Sequence, residues 1–70
     1  MVGKLELDKR FTYHPPKEDQ AERYGLIRKE AHDLADTIDI YCPESREKSL
    51  AITKLEEAVM WANASIARNE

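Results

Sequence analysis

A chain of 70 residues with a formal net charge of −3 is one small acidic domain, without the net basic surface that binding to duplex DNA or RNA normally requires. Charged residues make up 36% of the chain and only two residues are glycine, which favours helices over a β-rich fold. The single cysteine, Cys42, excludes an internal disulfide and fits a reduced cytosolic protein, and no apolar run is long enough to span a membrane.

Residues 1–16 show only a rough alternation of apolar and charged side chains, and we expect them to form an extended N-terminal arm. The sequence leaves open whether residues 1–10 are ordered. The arm ends in Phe11-Thr12-Tyr13-His14-Pro15-Pro16, where the two prolines hold the backbone extended. These rings either pack on a helical core or are available to a ligand.

The first predicted helix covers about residues 17–41. It begins near Pro16, because proline and acidic residues suit the first turn of a helix. It ends before Pro43, which disfavours helical geometry in Cys42. Its apolar residues recur at spacings of three and four, as in a coiled-coil seam: Tyr24, Ile27, Ala31, Leu34, Ile38 and Tyr41.

The second predicted helix covers about residues 45–68, with Ser45 as its N-cap. A matching apolar seam runs along it: Ile52, Leu55, Val59, Ala62 and Ile66. Since short helix–helix connections join antiparallel neighbours, the two helices should form a hairpin. The sequence therefore predicts an all-α fold, in which residues 1–16 are an arm and residues 17–70 are an antiparallel two-helix hairpin.

Trp61, Leu50 and Ala64 form a further apolar line that has no partner inside such a hairpin. A domain of this size buries too little surface to be comfortably stable alone. No disulfide and no evident metal site are present to compensate. We therefore expect hairpins to associate into a homo-oligomer through this line.

Catalysis and metal binding have little support in the sequence. Cys42, His14 and His32 are not joined by a motif that would hold a base against a nucleophile. An acidic series at helical spacing is more simply a solvated helix face: Asp33, Asp36 and Asp39. We expect neither an enzyme nor a requirement for a metal or cofactor.

A small anionic nucleotide is a better candidate ligand. Arg23, Arg28 and Lys29 fall in the first half of the first predicted helix, close to where Tyr13 and His14 enter it. Cationic side chains can bind phosphate while an aromatic ring stacks on a base. The alternative is that these cations pair with neighbouring acids: Glu22, Glu30, Asp33 or Asp36.

Four segments, taken in order, resemble the helical-hairpin domain shared by two groups of phage anti-defence sponge proteins, the anti-CBASS and the anti-Thoeris sponges. The resemblance covers about residues 11–69, and no single segment is a catalytic fingerprint. The segments are Phe11-x-Tyr13-His14-x-Pro16, Arg23-Tyr24-x-x-Ile27-Arg28, Pro43-x-Ser45-Arg46-Glu47-x-Ser49-Leu50-Ala51-x-Thr53-x-Leu55-Glu56-Glu57-Ala58 and Met60-Trp61-Ala62-Asn63-Ala64-x-Ile66-Ala67-Arg68.

The resemblance implies a protein that binds cyclic oligonucleotide second messengers in the host cytoplasm without cleaving them, and so blocks CBASS immunity. It implies a compact homo-oligomer, typically a hexamer, with cyclic dinucleotides between protomers and a second kind of site for cyclic trinucleotides. The anti-Thoeris relatives carry additional N-terminal β-structure, so this chain looks more like the anti-CBASS type. We expect neither duplex nucleic acid nor a membrane as a partner.

Carried over by position, the resemblance makes Tyr13 the aromatic that stacks on a base. It makes Arg28 the cation that meets phosphate, with Lys29 as its neighbour and His14 beside them. For the second site it indicates Arg68 and Asn69. Two other readings stay open: an oligomeric α-hairpin interaction module with no nucleotide ligand, and a small nucleic-acid-binding regulator, which would need a basic surface.

Overall fold

A computed structural model describes residues 3–70, and every regular element in this range is a helix. Three helices follow one another along the chain: α1 (Lys4–Phe11), α2 (Gln20–Tyr41) and α3 (Arg46–Asn69). The predicted all-α class is confirmed. None of these helices combines the length and the apolar character needed to cross a membrane.

The prediction of an extended arm is wrong for residues 4–11, which form α1. Leu, Glu, Lys and Arg are good helix formers, and the rough alternation of apolar residues concealed this local preference. The helix closes its first turn from Leu7 N to Gly3 O at 3.0 Å, and Glu6 pairs with Arg10 one turn later at 3.1 Å. Residues 12–17 contain no helix, and residues 1 and 2 of the predicted arm lie outside the described range.

Helix α2, which corresponds to the first predicted helix, begins at Gln20 rather than near Pro16. Glu18 has a φ of 48°, in the left-handed region, so the preceding residues cannot continue into a right-handed helix. Two hydrogen bonds between Lys17 and Gln20 close this turn. The Gln20 amide donates to Lys17 O at 2.9 Å, and the Lys17 amide donates to Gln20 Oε1 at 3.0 Å.

The connection between α2 and α3 is four residues long, and the two helices lie antiparallel. Cys42 has extended backbone geometry before Pro43, which ends α2 as predicted. The predicted N-cap is also confirmed. The Ser45 hydroxyl oxygen accepts a hydrogen bond from the Lys48 amide at 3.1 Å.

The hairpin packs along the seam predicted on α3, whose five members are all half-buried. On α2 the predicted seam is half-buried at Tyr24, Ile27, Ala31 and Ile38 and differs at its other two positions. Leu34 and Tyr41 are exposed, and Ala35 is half-buried instead of Leu34. A straight helix has 3.6 residues per turn and drifts away from a strict 3.5-residue seam, which accounts for the exchange between neighbouring positions.

The chain by itself has no apolar core within residues 3–70, because no apolar side chain described is buried. The molecule measures 45 × 33 × 12 Å, so its thickness is that of a single helix layer. Its most buried residues are polar: Gln20 is 4% exposed and Lys48 is 9% exposed. Trp61 is 54% exposed, in agreement with the surplus apolar line, but Ala64 is half-buried and faces a cleft.

Candidate functional site

A cleft of about 400 Å³ lies at the open end of the hairpin, away from the α2–α3 connection. The arm, α2 and α3 each contribute to it. Its volume is within the range of small-molecule sites. The lining residues are His14, Ala21, Tyr24, Arg28, Asn63, Ala64 and Ala67.

Helical spacing places the cleft residues of α2 on one face. Ala21, Tyr24 and Arg28 are separated by three and four positions, so their side chains lie one above the other. On α3 the two alanines of the lining are separated by three positions in the same way. Their small side chains leave room, whereas the tyrosine ring and the guanidinium supply the chemistry of the opposite wall.

The three cations of the sequence prediction fall into different environments. Arg23 forms an ion pair with Glu70, and Lys29 forms one with Asp33 at 3.1 Å. The hydrogen bond that Lys29 donates to the Asp33 carboxylate raises the pKa of Lys29. Arg28 makes no hydrogen bond or ion pair with any residue from 3 to 70. The guanidinium in the cleft is therefore the one whose charge is left for an anion.

His14 connects the cleft to α1. Its Nε2 lies 3.0 Å from the backbone oxygen of Lys9, and a carbonyl oxygen only accepts hydrogen bonds. Nε2 must therefore carry the proton in the neutral ring, which leaves Nδ1 as an acceptor. A protonated ring would offer an N–H at both nitrogens. The ring thus meets the last turn of α1 through Nε2 and leaves Nδ1 available as an acceptor.

The structure brings together two of the four residues predicted for the first ligand site, His14 and Arg28. Tyr13 is 79% exposed and is not among the lining residues, and Lys29 is held by Asp33. The aromatic side chain that does line the cleft is Tyr24, which the sequence had placed in the hairpin seam.

Asn63 is a cleft residue that the sequence reasoning missed. Its Oδ1 is buried and has no hydrogen-bond partner in the described chain. A buried carbonyl without a partner is costly, so this amide is a candidate for contact with a ligand or a neighbouring protomer. The signal available in the sequence was an amide in the middle of an otherwise uncharged, alanine-rich helix.

The residues predicted for the second site lie on the last turn of α3, outside the cleft. Arg68 is half-buried, and the Asn69 amide nitrogen donates to Ser65 O at 2.9 Å. A separate acidic cluster of His32, Asp33 and Asp36 has its potential metal-ligating atoms within 4.8 Å of one another. All three side chains are exposed, which is the arrangement expected of a solvated helix face.

Comparison with curated proteins and with solved structures gave no match. A family model described as "Acb2/Tad1, hairpin domain" matches residues 4–67, which is most of the chain and includes all seven residues that line the cleft. This match agrees with the resemblance carried by the four sequence segments. The family is one of binding, sponge-type proteins rather than of enzymes. The chain belongs to the Acb2/Tad1 hairpin family.

Proposed function

We propose that this protein is a phage anti-defence sponge that binds cyclic dinucleotides in the host cytoplasm without cleaving them, and thereby blocks CBASS immunity. One observation carries the proposal. The cleft of this family member contains a guanidinium, from Arg28, that no described acid neutralises, next to His14 and Tyr24. A cation can bind phosphate and an aromatic ring can stack on a base, so a cleft that contains both suits a nucleotide.

The proposed contacts follow from the chemistry of the ligand. Arg28 presents two parallel N–H donors to a phosphate group, which is a charge-assisted pairing. His14 adds a nitrogen on the arm side of the cleft. Tyr24 offers a ring inside the cleft, and Tyr13, which is exposed beside it along the arm, offers a second ring for stacking on a base.

Assembly is the second part of the proposal. The cleft is open, and the chain is one helix layer thick with no buried apolar side chain between residues 3 and 70. A homo-oligomer, proposed here as a hexamer, would cover the exposed apolar faces and close the cleft with a neighbouring protomer. Arg68 and Asn69 remain the proposed contacts of a separate site for cyclic trinucleotides.

The first prediction concerns Arg28. Arg28→Gln should weaken binding of a cyclic dinucleotide by about tenfold or more, because a hydrogen bond to a charged group contributes roughly 1.5–3 kcal/mol. Lys29→Gln is the matched control, since it removes the same charge one residue away from a side chain that Asp33 already holds. Isothermal titration calorimetry with a panel of cyclic dinucleotides measures both affinities.

The same titration separates the competing functions. Intact ligand should be recovered after denaturation of the complex, and cleaved ligand would contradict sequestration. If no cyclic nucleotide gives heat with the wild-type protein, the proposal fails. The exposed apolar side chains would then favour the alternative, an oligomeric hairpin module without a nucleotide ligand.

The second prediction concerns the assembly. Trp61→Ala should dissociate the oligomer at concentrations where the wild type stays assembled, because burying the exposed half of a large apolar side chain contributes about 2 kcal/mol per contact. Glu57→Gln is the control. It alters the acceptor of the long 3.4 Å contact from the indole Nε1 and keeps the ring. Native mass spectrometry that shows an unchanged oligomer for Trp61→Ala would exclude the ring from the interface.

A further inference from the structure

A polar network closes the open end of the hairpin next to the cleft. The Glu70 carboxylate is its centre. Arg23 donates from Nη1 to Glu70 Oε2 at 2.8 Å and from Nη2 to Glu70 Oε1, and Gln20 donates from Nε2 to Oε1 at 3.2 Å. These bonds join the first turn of α2 to the end of α3, although the residues are 47 and 50 positions apart in the chain.

The same network holds the segment that carries His14. Lys17 donates from Nζ to a backbone oxygen of Glu70 at 3.0 Å, and its amide donates to Gln20 Oε1 at 3.0 Å. Gln20 therefore bonds to Lys17 with its oxygen and to Glu70 with its nitrogen, and it is only 4% exposed. A buried amide with both ends satisfied fixes the arm against both long helices.

None of these side chains lines the cleft, but Gln20, Arg23 and Glu70 each lie one position or one helical turn from a residue that does. Ala21 directly follows Gln20, and Tyr24 directly follows Arg23. Ala67, in the last turn of α3, lies three positions before Glu70, the residue that directly follows the helix. Gln20, Arg23 and Glu70 therefore meet beside the cleft, where they join its two walls.

We infer that Gln20, Arg23 and Glu70 form a positioning clamp that sets the width of the cleft and the placement of His14 over it. The inference rests on the proposed function, because it assigns to the clamp the pre-organisation of that ligand site. Arg23 is thus a positioning residue whose charge is used inside the protein, in contrast to Arg28. The hydrogen bond from Arg23 holds the pKa of Glu70 at about 2, so the clamp is charged at neutral pH.

A ligand that binds only the closed arrangement has an apparent affinity that falls with the fraction of chains in that arrangement. Glu70→Gln keeps the shape of the side chain and removes its charge. If it lowers the closed fraction to about one tenth, the apparent Kd rises about tenfold. Glu47→Gln is the matched control, since it makes the same change at the start of α3, at the other end of the hairpin.

Calorimetry with the cyclic dinucleotide that binds the wild type tests this expectation. Glu70→Gln should bind about tenfold more weakly, in keeping with a reduced closed fraction, while Glu47→Gln should stay close to wild type. The exchange variant Arg23→Glu with Glu70→Arg should bind more tightly than Arg23→Glu alone, because it restores the ion pair in the opposite sense, while Asp19, 3.3 Å from Arg23 Nη2 in the wild type, limits the recovery. Wild-type affinity in Glu70→Gln overturns the inference.

Two further readouts distinguish positioning from a general loss of structure. In a double-mutant cycle, the effect of Glu70→Gln on affinity should be smaller when His14→Ala is already present, because part of that effect acts through the placement of the His14 ring. Additive effects would contradict the inference. If Glu70→Gln does not fold, Gln20→Met replaces it, since it removes the side-chain bonds to Lys17 and Glu70 and keeps a side chain of similar length. Weaker binding by that variant supports the clamp, and unchanged binding refutes it.

The failure of the proposed function can be told apart from the failure of the clamp. If the wild-type protein binds no cyclic nucleotide, the function falls, and NMR decides on the clamp. The ring signals of His14 and the side-chain amide signals of Asn63 should shift in Glu70→Gln and not in Glu47→Gln. Signals that stay in place in Glu70→Gln would show that Glu70 does not position the cleft.

Discussion

The two ends of the hairpin are closed by the same kind of chemistry but over very different distances along the chain. At the turn end, Lys48 is 9% exposed and donates from Nζ to Asp39 O at 3.0 Å, to Asp39 Oδ1 at 2.9 Å and to Glu44 Oε1 at 2.6 Å. At the open end, Glu70 accepts from Arg23 and Gln20. A single charged side chain with several partners closes each end.

The two ends differ in the stage of folding at which their contacts can form. The partners of Lys48 are four and nine positions away, so they meet as soon as the turn forms. Those of Glu70 are about fifty positions away and meet only after both helices are in place. The turn end can therefore close first, whereas the open end, which lies next to the cleft, closes only once the two helices are packed.

Removal of the turn-end lysine should have the largest effect on stability. Lys48→Met should lower the thermal midpoint by several degrees and leave ligand affinity unchanged, because the last turn of α2 has no other basic residue to meet its carbonyl groups. Lys54→Met, at an exposed lysine 3.5 Å from Glu57, is the control and should change little. A loss of affinity in Lys48→Met would show that the two ends are coupled.

Acid should weaken the open end. Glu70 has a folded pKa of about 2, below its ordinary value of 4.5, so its contribution to stability is present above pH 4.5 and is lost as the pH falls toward 2. The difference in thermal midpoint between wild type and Glu70→Gln should be constant between about pH 5 and 7 and should shrink below that range. Melts at several pH values, with Glu47→Gln as the charge control, measure it. A difference that persists unchanged at pH 2 would contradict this account.

The smallest effect is expected at the N-cap of α3. Ser45→Ala should lower the free energy of unfolding by about 1 kcal/mol, since the Lys48 amide loses its acceptor. Ser49→Ala, within the same helix, removes a hydroxyl that is not the cap and serves as the control. Chemical denaturation measures both changes. Equal effects of the two substitutions would argue against the cap.

Local signals were enough to predict the elements of the hairpin. Pro43 and Ser45 mark the end of α2 and the start of α3, because each acts through its own backbone and its immediate neighbours. The apolar seam of α3 followed from spacing alone. The arm was harder, since a rough alternation of apolar residues outweighed good helix formers in the interpretation and α1 was missed.

The candidate site was only partly predictable, because a charge pattern does not show which acid each cation meets. Arg28 and Lys29 are neighbours in sequence and equivalent as cations, but the helix directs one to the cleft and the other to Asp33. Arg23 pairs with Glu70, an acid far away in sequence that no spacing rule connects to it. Asn63 is uncharged, so no charge pattern pointed to it, and only the packing of α3 against α2 shows that it lines the cleft.

The sequence by itself determined the all-α class, the hairpin and the family, since these depend on periodicity, on caps and on ordered motifs within short stretches. Only the tertiary structure decided which of Arg23, Arg28 and Lys29 has no acid partner among residues 3–70, and which residues close the open end. The physical reason is that ion pairs and burial depend on side-chain directions across two helices. Those directions are fixed when the helices pack, and Glu70 then lies against Arg23 at the edge of the cleft.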